Sequence, residues 1–275
     1  VQNKGYILKA APDIMNENEL KSIMNTKWAG QELVYFDSID STNTKAKELA
    51  EEGYPNGTLV VADYQMAGKG RRGRTWESPS GTGIFMTLML KPDINPNNAS
   101  MLTLVAALAV AKAISDITGE QALIKWPNDI VINGKKICGI LTEMSAQFDY
   151  INHIVIGIGI NVHNKDFPEE IKETASSLMI ESGGQHFRRA EIIEKIMEYF
   201  EEYYEIYLET EDLSALVKEY NSLLVNMHKN VKVLDPKEPF EGKAMGITPR
   251  GELIVDTWES RKLVSSGEVS VRGIY

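Results

Sequence analysis

Hydrophobic and polar positions along the chain follow two different periods, which predicts a mixed α/β fold. Short runs rich in β-branched residues, bounded by turn residues, predict strands. These predicted strands cover residues 33–37, 58–64, 84–91, 130–133, 137–144 and 154–160. The pair Asn133-Gly134 separates the fourth and fifth runs and is a strong hairpin signal.

Longer stretches with apolar residues three and four positions apart predict helices. These stretches cover residues 41–53, 99–118, 189–208 and 213–224, with a further helix from Asn16 to Lys27. Ser41 is placed to open the first of them, and Gly53 to end it as the residue after the last turn. The apolar stretch 101–113 contains Thr103 and Lys112. It is therefore predicted to be a buried helix and not a membrane span.

After Asn226 the pattern changes to short strands separated by Asp-Pro, Pro-Arg-Gly and Ser-Gly turns. About fifty residues of this kind predict a small β-barrel domain. Three segments are therefore expected: 1–28, 29–225 and 226–275.

Composition places the protein among ordinary globular chains: 275 residues, 43% hydrophobic, with a formal net charge of −10 and a pI near 5.1. One cysteine, Cys138, excludes an internal disulfide framework and fits a reducing cytoplasm. Residues 1–5 are polar and unlike a signal peptide. Because the chain begins with Val, we expect the natural protein to begin further upstream.

Positive charge is concentrated in one place despite this acidic background. Residues 68–74 (GKGRRGR), called the basic loop below, hold four cationic side chains and three glycines. Glycines let backbone N–H groups approach an anion closely, and Arg and Lys add strong donors. The loop is typical of a cradle for a phosphorylated ligand. The alternative is a solvated basic turn with no ligand.

The spacing Gly68-x-Gly70-x-x-Gly73 also matches the dinucleotide fingerprint, with Asp93 about twenty residues on. That motif must open directly into a helix. Residues 75–83 (TWESPSGTG) cannot form one, so we reject the dinucleotide interpretation. A P-loop is excluded as well, since no Gly-Lys-[Ser/Thr] follows.

A second polar cluster is residues 125–129 (KWPND), called the KWPND corner below. Pro127 forces the chain to turn and expose its neighbours. Lys125 is suited to neutralise phosphate, and Asn128 and Asp129 to hold Mg²⁺ or polar ligand atoms. The alternative is an ordinary Asn-Asp turn. Across the hairpin, strand alternation places Lys136 on the same face as Cys138 and Ile140.

Together these residues resemble one family, the biotin protein ligases. The basic loop resembles the family's glycine-arginine loop, and the KWPND corner matches its second motif without change. Ser41-Thr42-Asn43, Gln65, Gly139, residues 157–161 (GIGIN) and residues 267–272 (GEVSVR) occur in the family's order. The resemblance covers about residues 32 to 272. It implies an α+β fold: a mixed-sheet catalytic domain with helices packed on one face, and a C-terminal SH3-like β-barrel.

The resemblance also implies the site. The residues expected to bind biotin are Ser41, Thr42, Asn43, Gln65, Gly68, Lys69, Arg71, Lys136, Gly139, Gly157 and Ile158. The residues expected to bind the nucleotide are Arg71, Arg72, Arg74, Trp76, Lys125, Asn128 and Asn161. The residues expected to be catalytic are Lys69, Arg71, Lys125 and Lys136. Asp129 is the expected metal ligand.

Family members join biotin to ATP as biotinyl-5′-AMP and then transfer biotin to a lysine of a carrier domain in acetyl-CoA carboxylase or a related carboxylase. The resemblance therefore implies biotin, ATP and Mg²⁺ as ligands. Such chemistry requires positioning and charge neutralisation and no covalent enzyme group. A glycine-rich loop that closes over the mixed anhydride would exclude water. Lys69 departs from the family's usual Arg, which predicts weaker retention of the adenylate.

Residues 5–9 (GYILK) resemble the end of a winged-helix DNA-binding domain. We therefore expect a truncated form of a bifunctional ligase and repressor, in which only a longer form binds operator DNA. A short extension without that history is the alternative. The family also implies a homodimer and no membrane partner. Two rival functions remain at this point: a lipoate-type ligase or transferase, and a biotin-sensing regulator that no longer ligates.

Overall fold

The computed structural model describes residues 12–235, 238–265 and 270–273. Residues 5–9 and 267–269, which carry two of the resemblances above, lie outside the described residues. The larger sheet has seven strands: β1 (Leu33–Ile39), β2 (Leu59–Gln65), β3 (Gly83–Leu90), β4 (Leu123–Lys125), β5 (Asp129–Ile132), β6 (Lys135–Ala146) and β7 (Ile151–Asn161). Their order is β1-β2-β3-β7-β6-β5-β4. Only the β1–β2 pair is parallel, so the sheet is mixed, as expected.

Six α-helices accompany the strands in the described part of the chain: α1 (Glu17–Ile23), α2 (Thr42–Glu51), α3 (Leu102–Thr118), α4 (Leu178–Glu181), α5 (Arg189–Thr210) and α6 (Val217–Leu223). Helices α3 and α5 pack together over one face of the sheet and form the main core with it. Helix α2 instead covers the other face, where it buries Val60, Met89 and Val155. The α+β fold class is confirmed, but the helices occupy both faces.

The reason for this second layer is visible in β3. All eight of its residues are buried, which requires a cover on each face of the strand. The sequence of β3 is a nearly continuous apolar run and not an alternating one. Helix α2 supplies the missing cover and contacts β2, β3 and β7.

The predicted buried helix is longer than the apolar stretch that suggested it. A 3₁₀ turn at Pro96–Met101 leads directly into α3. By length and composition the combined stretch Pro96–Thr118 could cross a membrane. In the fold, 67% of its most apolar window is buried inside the protein, as in the core helix of a globular domain.

Helix ends agree with the capping residues but not always with the predicted lengths. Asn16 caps α1 by accepting a hydrogen bond from the backbone N–H of Glu19 at 2.9 Å. That helix ends at Ile23, four residues before the predicted end. Helix α6 is also shorter than predicted, because residues 213–216 form a turn before it begins. Ser41 and Gly53 flank α2 as predicted.

The C-terminal part is an antiparallel sheet of five strands: β8 (Asn230–Leu234), β9 (Phe240–Ile247), β10 (Leu253–Asp256), β11 (Arg261–Val264) and β12 (Ser270–Gly273). Their order is β11-β10-β9-β8-β12. This sheet packs directly on the larger unit. The indole nitrogen of Trp126 donates a hydrogen bond of 3.0 Å to the backbone carbonyl of Gly251. This hydrogen bond therefore holds the KWPND corner against the C-terminal part.

Candidate active site

A small cavity lies where the N-terminus of α2, strands β6 and β7 and the basic loop meet. Its free volume is about 50 Å³. The residues that line it are Ser41, Thr42, Asn43, Gln65, Lys69, Gly70, Arg71, Trp76, Met86, Asn128, Lys136, Gly139, Ile140, Leu141, Gly157, Ile158 and Gly159. The cavity therefore brings both sequence clusters to one place.

One wall of the cavity is polar but uncharged. Ser41, Thr42 and Asn43 are buried at the start of α2. The backbone N–H of Thr42 donates to the side-chain oxygen of Gln65 at 2.9 Å. The amide nitrogen of Gln65 in turn donates to the hydroxyl of Ser78 at 2.9 Å. These bonds fix the orientation of the Gln65 amide, so the wall offers preset hydrogen-bonding groups to a neutral polar ligand.

The glycines of β7 and β6 make room for the side chains around the cavity. A Cβ atom at Gly157 would lie 2.1 Å from the side-chain oxygen of Asn43. A Cβ at Gly159 would lie 2.6 Å from the indole of Trp76, and one at Gly139 would lie 2.9 Å from it. Any larger residue at these positions displaces a cavity-lining side chain. These glycines therefore allow the side chains of Asn43 and Trp76 to lie directly against the two strands.

Trp76 occupies the centre of this glycine-lined surface. Its indole nitrogen is buried and has no hydrogen-bond partner within the described residues. The ammonium group of Lys136 lies 5.4 Å from the centre of the Trp76 ring, within the range of a cation–π contact. A buried N–H donor without a partner is costly, so this group favours a ligand that carries an acceptor.

The basic loop forms a small hairpin-like turn that folds over the cavity. The N–H of Gly70 donates to the carbonyl of Arg74 at 2.7 Å, and that of Trp76 to the carbonyl of Gly68 at 2.9 Å. A 3₁₀ turn at Arg71–Gly73 lies between them. Residues 74–82, which follow, contain no helix. The dinucleotide-binding interpretation is therefore excluded by structure as well.

Two side chains anchor the loop to opposite sides of the cavity. The ammonium of Lys69 donates to the hydroxyl of Thr44 in α2 at 2.8 Å. The guanidinium of Arg71 donates to the side-chain oxygen of Asn128 in the KWPND corner at 2.8 Å. The Asn128 amide also donates to the carbonyl of Ile140 at 3.0 Å, which fixes its orientation. The loop is therefore closed in this conformation.

Positive charge faces the cavity from two directions. Burial lowers the pKa of Arg71 below its ordinary value, against the opposing effect of the Asp129 carboxylate. Lys136 forms a salt bridge of 2.7 Å with Asp129. A partly desolvated guanidinium has lost much of its hydration, so it gains more than an exposed one from contact with an anion. The site is suited to an anionic ligand group beside a neutral polar one.

Most of the predicted site residues meet at this cavity. Those that line it are Ser41, Thr42, Asn43, Gln65, Lys69, Arg71, Trp76, Asn128, Lys136, Gly139, Gly157 and Ile158. Those outside its described lining are Gly68, Arg72, Arg74, Lys125, Asp129 and Asn161. Gly68 packs beneath the loop, where a Cβ would lie 2.3 Å from the Trp76 carbonyl. Asn161 donates its amide to the Ser176 carbonyl at 3.0 Å.

The prediction that Lys136 and Cys138 share a face is wrong. The pairing between β5 and β6 shifts in register at this point. Ile130 pairs with Cys138, but the next residue, Val131, pairs with Lys136. The extra residue is a β-bulge, which resets the alternation. Lys136 therefore reaches the cavity, while Cys138 is buried in the main core.

Sequence reasoning missed Met86, Ile140 and Leu141 among the lining residues. Leu141 lies two residues beyond Gly139, so the strand period was the available signal. It also missed Thr87 and Glu143, whose side chains bond to Asn43 behind the wall. The side chains of Asn43, Thr87 and Glu143 come together because α2 packs against β3 and β6 in the folded protein.

Two protein-family sequence models match this chain and show its class of protein. The sequence model of the Biotin/lipoate A/B protein ligase family matches residues 35–161. The model of the Biotin protein ligase C terminal domain matches residues 229–272. The site therefore belongs to a protein ligase of the biotin and lipoate class.

Individual relatives show which family within this class the chain resembles. The chain is 41% identical over 273 residues to the bifunctional ligase/repressor BirA of Bacillus subtilis, covering 98% of this chain and 83% of that protein. It is 28% identical over 235 residues to the biotin--[acetyl-CoA-carboxylase] ligase of Mycobacterium tuberculosis, covering 83% and 85% of the two chains. The structure of the biotin protein ligase from Aquifex aeolicus in complex with biotin and ATP matches with a TM-score of 0.78 at 32% identity, covering 89% of this chain and 100% of that one. The chain belongs to the biotin protein ligase family.

Proposed function

We propose that this protein activates biotin with ATP to biotinyl-5′-AMP and then attaches biotin to a lysine of a carboxylase carrier domain. One observation carries the proposal: a neutral hydrogen-bonding wall at Thr42 and Gln65 and two cations, Arg71 and Lys136, line the same cavity. Biotin has a neutral ureido ring and an anionic carboxylate. It needs both kinds of group, at opposite ends of one pocket.

In the first step a carboxylate oxygen of biotin attacks the α-phosphorus of ATP, and pyrophosphate leaves. Two anions must be brought together for this attack, so Lys69, Arg71 and Lys136 reduce their repulsion. In the second step the uncharged amine of the acceptor lysine attacks the acyl carbon, AMP leaves, and an amide forms. Positioning and charge stabilisation are sufficient for both steps.

The closed basic loop supports a gating role. The free volume of about 50 Å³ is far below the roughly 300–1,000 Å³ of pockets that hold small ligands. Trp76 and the loop must therefore shift to admit biotin and ATP. Closing again over the adenylate would keep water from the mixed anhydride. The indole N–H of Trp76, which has no partner among the residues that the structure describes, is suited to a ligand oxygen in that closed complex.

For the nucleotide, we assign Arg72, Arg74, Lys125 and Asn161 to positions around the phosphates and the nucleoside, beyond the cavity described here. Mg²⁺ is proposed to enter with ATP. Among the described residues no group of three or more His, Cys, Asp or Glu side chains is placed to hold a metal ion. Asp129, already paired with Lys136, is the one carboxylate proposed to touch it. This fits Mg²⁺ because it keeps several waters and is usually bound through one or two carboxylates and the substrate phosphates.

The acceptor is proposed to be the biotin carboxyl carrier domain of acetyl-CoA carboxylase, the enzyme in the mycobacterial relative's name. A homodimer and a cytoplasmic location belong to the same proposal. Because the Bacillus relative is named a ligase/repressor, operator binding is proposed for a form that carries an N-terminal DNA-binding domain.

The test is attachment of biotin to a carrier domain by the purified protein. Biotin, ATP and Mg²⁺ are incubated with a carrier domain, and mass spectrometry locates the modified residue. We expect one biotinylated lysine, formed only with ATP, and no product when lipoate replaces biotin. Lipoyl attachment would contradict the proposed substrate, and biotin binding without transfer would favour a sensor.

A further inference from the structure

Behind the polar wall, Glu143 of β6 contacts a residue that lines the cavity. The amide nitrogen of Asn43 donates to one Glu143 oxygen at 2.8 Å. The ammonium of Lys47 donates to the other at 2.6 Å. Burial alone would raise the pKa of Glu143, but these two hydrogen bonds and the positive charges of Lys47 and Lys69 outweigh it and hold the pKa below its ordinary value. Glu143 is therefore an ionised group that only accepts hydrogen bonds.

This acceptor determines which way Asn43 points. Because the Asn43 nitrogen must face Glu143, its oxygen faces Thr87 and lies 2.6 Å from that hydroxyl. An amide oxygen accepts and never donates, so Thr87 must donate its single proton to Asn43. Asn43 is 4% exposed and Thr87 is fully buried, so no water competes for these bonds.

The next member of the series is Thr42, which lines the cavity. The hydroxyl oxygens of Thr87 and Thr42 lie 2.8 Å apart. Since the Thr87 proton is committed to Asn43, Thr87 offers only a lone pair to Thr42. The proton of Thr42 has two acceptors, Thr87 and the Gln65 oxygen at 3.0 Å. In either case Thr42 turns a lone pair to the cavity.

We propose that Glu143 is a positioning residue that makes Thr42 a hydrogen-bond acceptor for a ureido N–H of biotin. The connection runs through Glu143, Asn43, Thr87 and Thr42 and is called the hydrogen-bond relay below. It rests on the proposed function, since the ligand in the cavity is taken to be biotin. Without Glu143 the Asn43 nitrogen keeps only a longer bond of 3.4 Å to the Leu141 carbonyl. The amide is then able to flip, so the Thr87 proton can turn to Thr42. Thr42 would then accept from Thr87 while still donating to Gln65, so one of its lone pairs is taken and it becomes a weaker acceptor for the ligand N–H.

Gly157 supports this arrangement. The side-chain oxygen of Asn43 lies 2.1 Å from the position that a Cβ at Gly157 would occupy. No side chain fits there while Asn43 keeps its bond to Glu143. The glycine of β7 therefore leaves the space that the Asn43 side chain occupies in the relay.

The test compares Glu143→Ala, which removes the acceptor, with Thr87→Val, which interrupts the relay at constant volume. Biotin affinity is measured by calorimetry and the KM values for biotin and ATP by pyrophosphate release. Each variant should weaken biotin binding by about 5- to 100-fold, as expected when a buried hydrogen bond is lost. The KM for ATP and kcat at saturating biotin should stay at wild-type values. A general folding defect would change all of these together.

The double variant separates the relay from two independent effects. If both residues act through Thr42, the double variant binds biotin no more weakly than the weaker-binding single variant. Losses that multiply would overturn the relay. Glu143→Gln keeps an acceptor oxygen for Asn43 and should restore part of the affinity. It also carries the test if Glu143→Ala fails to fold. Glu48→Ala, which removes a surface salt bridge of α2 with Lys45, is the matched control.

The same measurements also distinguish a failure of the hydrogen-bond relay from a failure of the proposed biotin ligase function on which it rests. If the wild-type protein binds biotin and the Glu143 and Thr87 variants bind it equally well, only the relay is wrong. If the wild-type protein binds no biotin at all, the proposed function is wrong and the relay falls with it.

Discussion

The guanidinium of Arg71 donates a hydrogen bond of 2.8 Å to the side-chain oxygen of Asn128. This contact joins the basic loop to the KWPND corner, through two residues that are 57 positions apart in sequence. Because Asn128 is itself fixed by its bond to the Ile140 carbonyl, it presents its oxygen to Arg71 in a set direction. The corner therefore orients a cation of the loop toward the cavity.

Replacing Asn128 by Ala should impair ATP use. Arg71 loses a charge-assisted hydrogen bond, and such bonds contribute about 1.5–3 kcal/mol. We expect the KM for ATP to rise about tenfold or more, with a smaller change in the KM for biotin. Steady-state pyrophosphate release measures both. Lys172→Ala, which removes an exposed salt bridge with Glu169, is the control for lost surface hydrogen bonding. A variant with wild-type KM for ATP would contradict the role of this contact.

The contact between Lys69 and Thr44 should set how long the closed loop retains the adenylate. Thr44→Val removes the acceptor without changing charge or volume. Loss of one exposed hydrogen bond of about 1 kcal/mol should speed release of biotinyl-5′-AMP about fivefold. Lys69→Arg should slow it, since a planar fork makes more than one directed bond. Release is followed in a single-turnover experiment with labelled biotin.

The two substitutions should change the rate of adenylate release in opposite directions, so the pair is more informative than either substitution alone. If both leave the release rate unchanged, the loop does not retain the intermediate through Lys69. If Thr44→Val alone has no effect, Lys69 acts through the ligand and not through α2.

Replacing a glycine by alanine should have different effects in the two sheets: loss of activity in the larger sheet and loss of stability in the C-terminal one. A Cβ at Gly159 meets the Trp76 indole at 2.6 Å, and Trp76 lies in a loop that is able to shift. Gly159→Ala should therefore reduce activity at least tenfold with little loss of stability. A Cβ at Gly242 meets the backbone carbonyl of Asp256 at 2.6 Å. Gly242→Ala should lower the free energy of unfolding by about 1–3 kcal/mol.

Thermal unfolding and adenylate formation, measured on both variants, test this contrast. Equal losses of stability, or an active Gly159→Ala enzyme, would show that Trp76 does not depend on the space above β7.

The buried ion pair of Asp63 and Arg189 should make stability sensitive to acid. The two side chains are 2.8 Å apart. Burial raises the pKa of Asp63, but hydrogen bonds from Ser80, Arg189 and the Gly81 backbone outweigh it and bring the pKa below its ordinary value of 3.8. The stabilisation is then fully present above pH 3.8 and is lost as the pH falls through the lower pKa of the folded state.

Urea unfolding from pH 7 to pH 2.5 measures this dependence. The difference in free energy between wild type and Asp63→Asn should be constant near neutral pH and should shrink below pH 3.8. A difference that stays constant throughout would mean that the carboxylate is not preferentially ionised in the folded protein. Asp256→Asn, an exposed carboxylate paired with Arg261, gives the reference for a surface pair.

Much of the fold was predictable because each signal was local. The strands follow β-branched runs, and Asn133-Gly134 makes a tight turn in which both residues have positive φ angles. The same local reasoning misplaced the ends of α1 and α6, since helix ends depend on packing as well as on propensity.

The site was predictable to the extent that its groups lie within motifs. The basic loop and the KWPND corner were recognised separately, and residues of both line one cavity in the structure. The bulge that separates Lys136 from Cys138 had no sequence signal, because it follows from pairing with β5. Glu143 was overlooked for a similar reason: its importance derives from Asn43, one hundred residues away in sequence.

We place the formation of biotinyl-5′-AMP in the cavity between α2, β6, β7 and the basic loop. A crystal structure of the protein after incubation with biotin, ATP and Mg²⁺ tests it most directly. We expect the adenylate in this cavity, with the ureido ring against Thr42 and Gln65 and the phosphate against Arg71 and Lys136. An adenylate bound elsewhere, or a ureido ring that touches neither Thr42 nor Gln65, would contradict it.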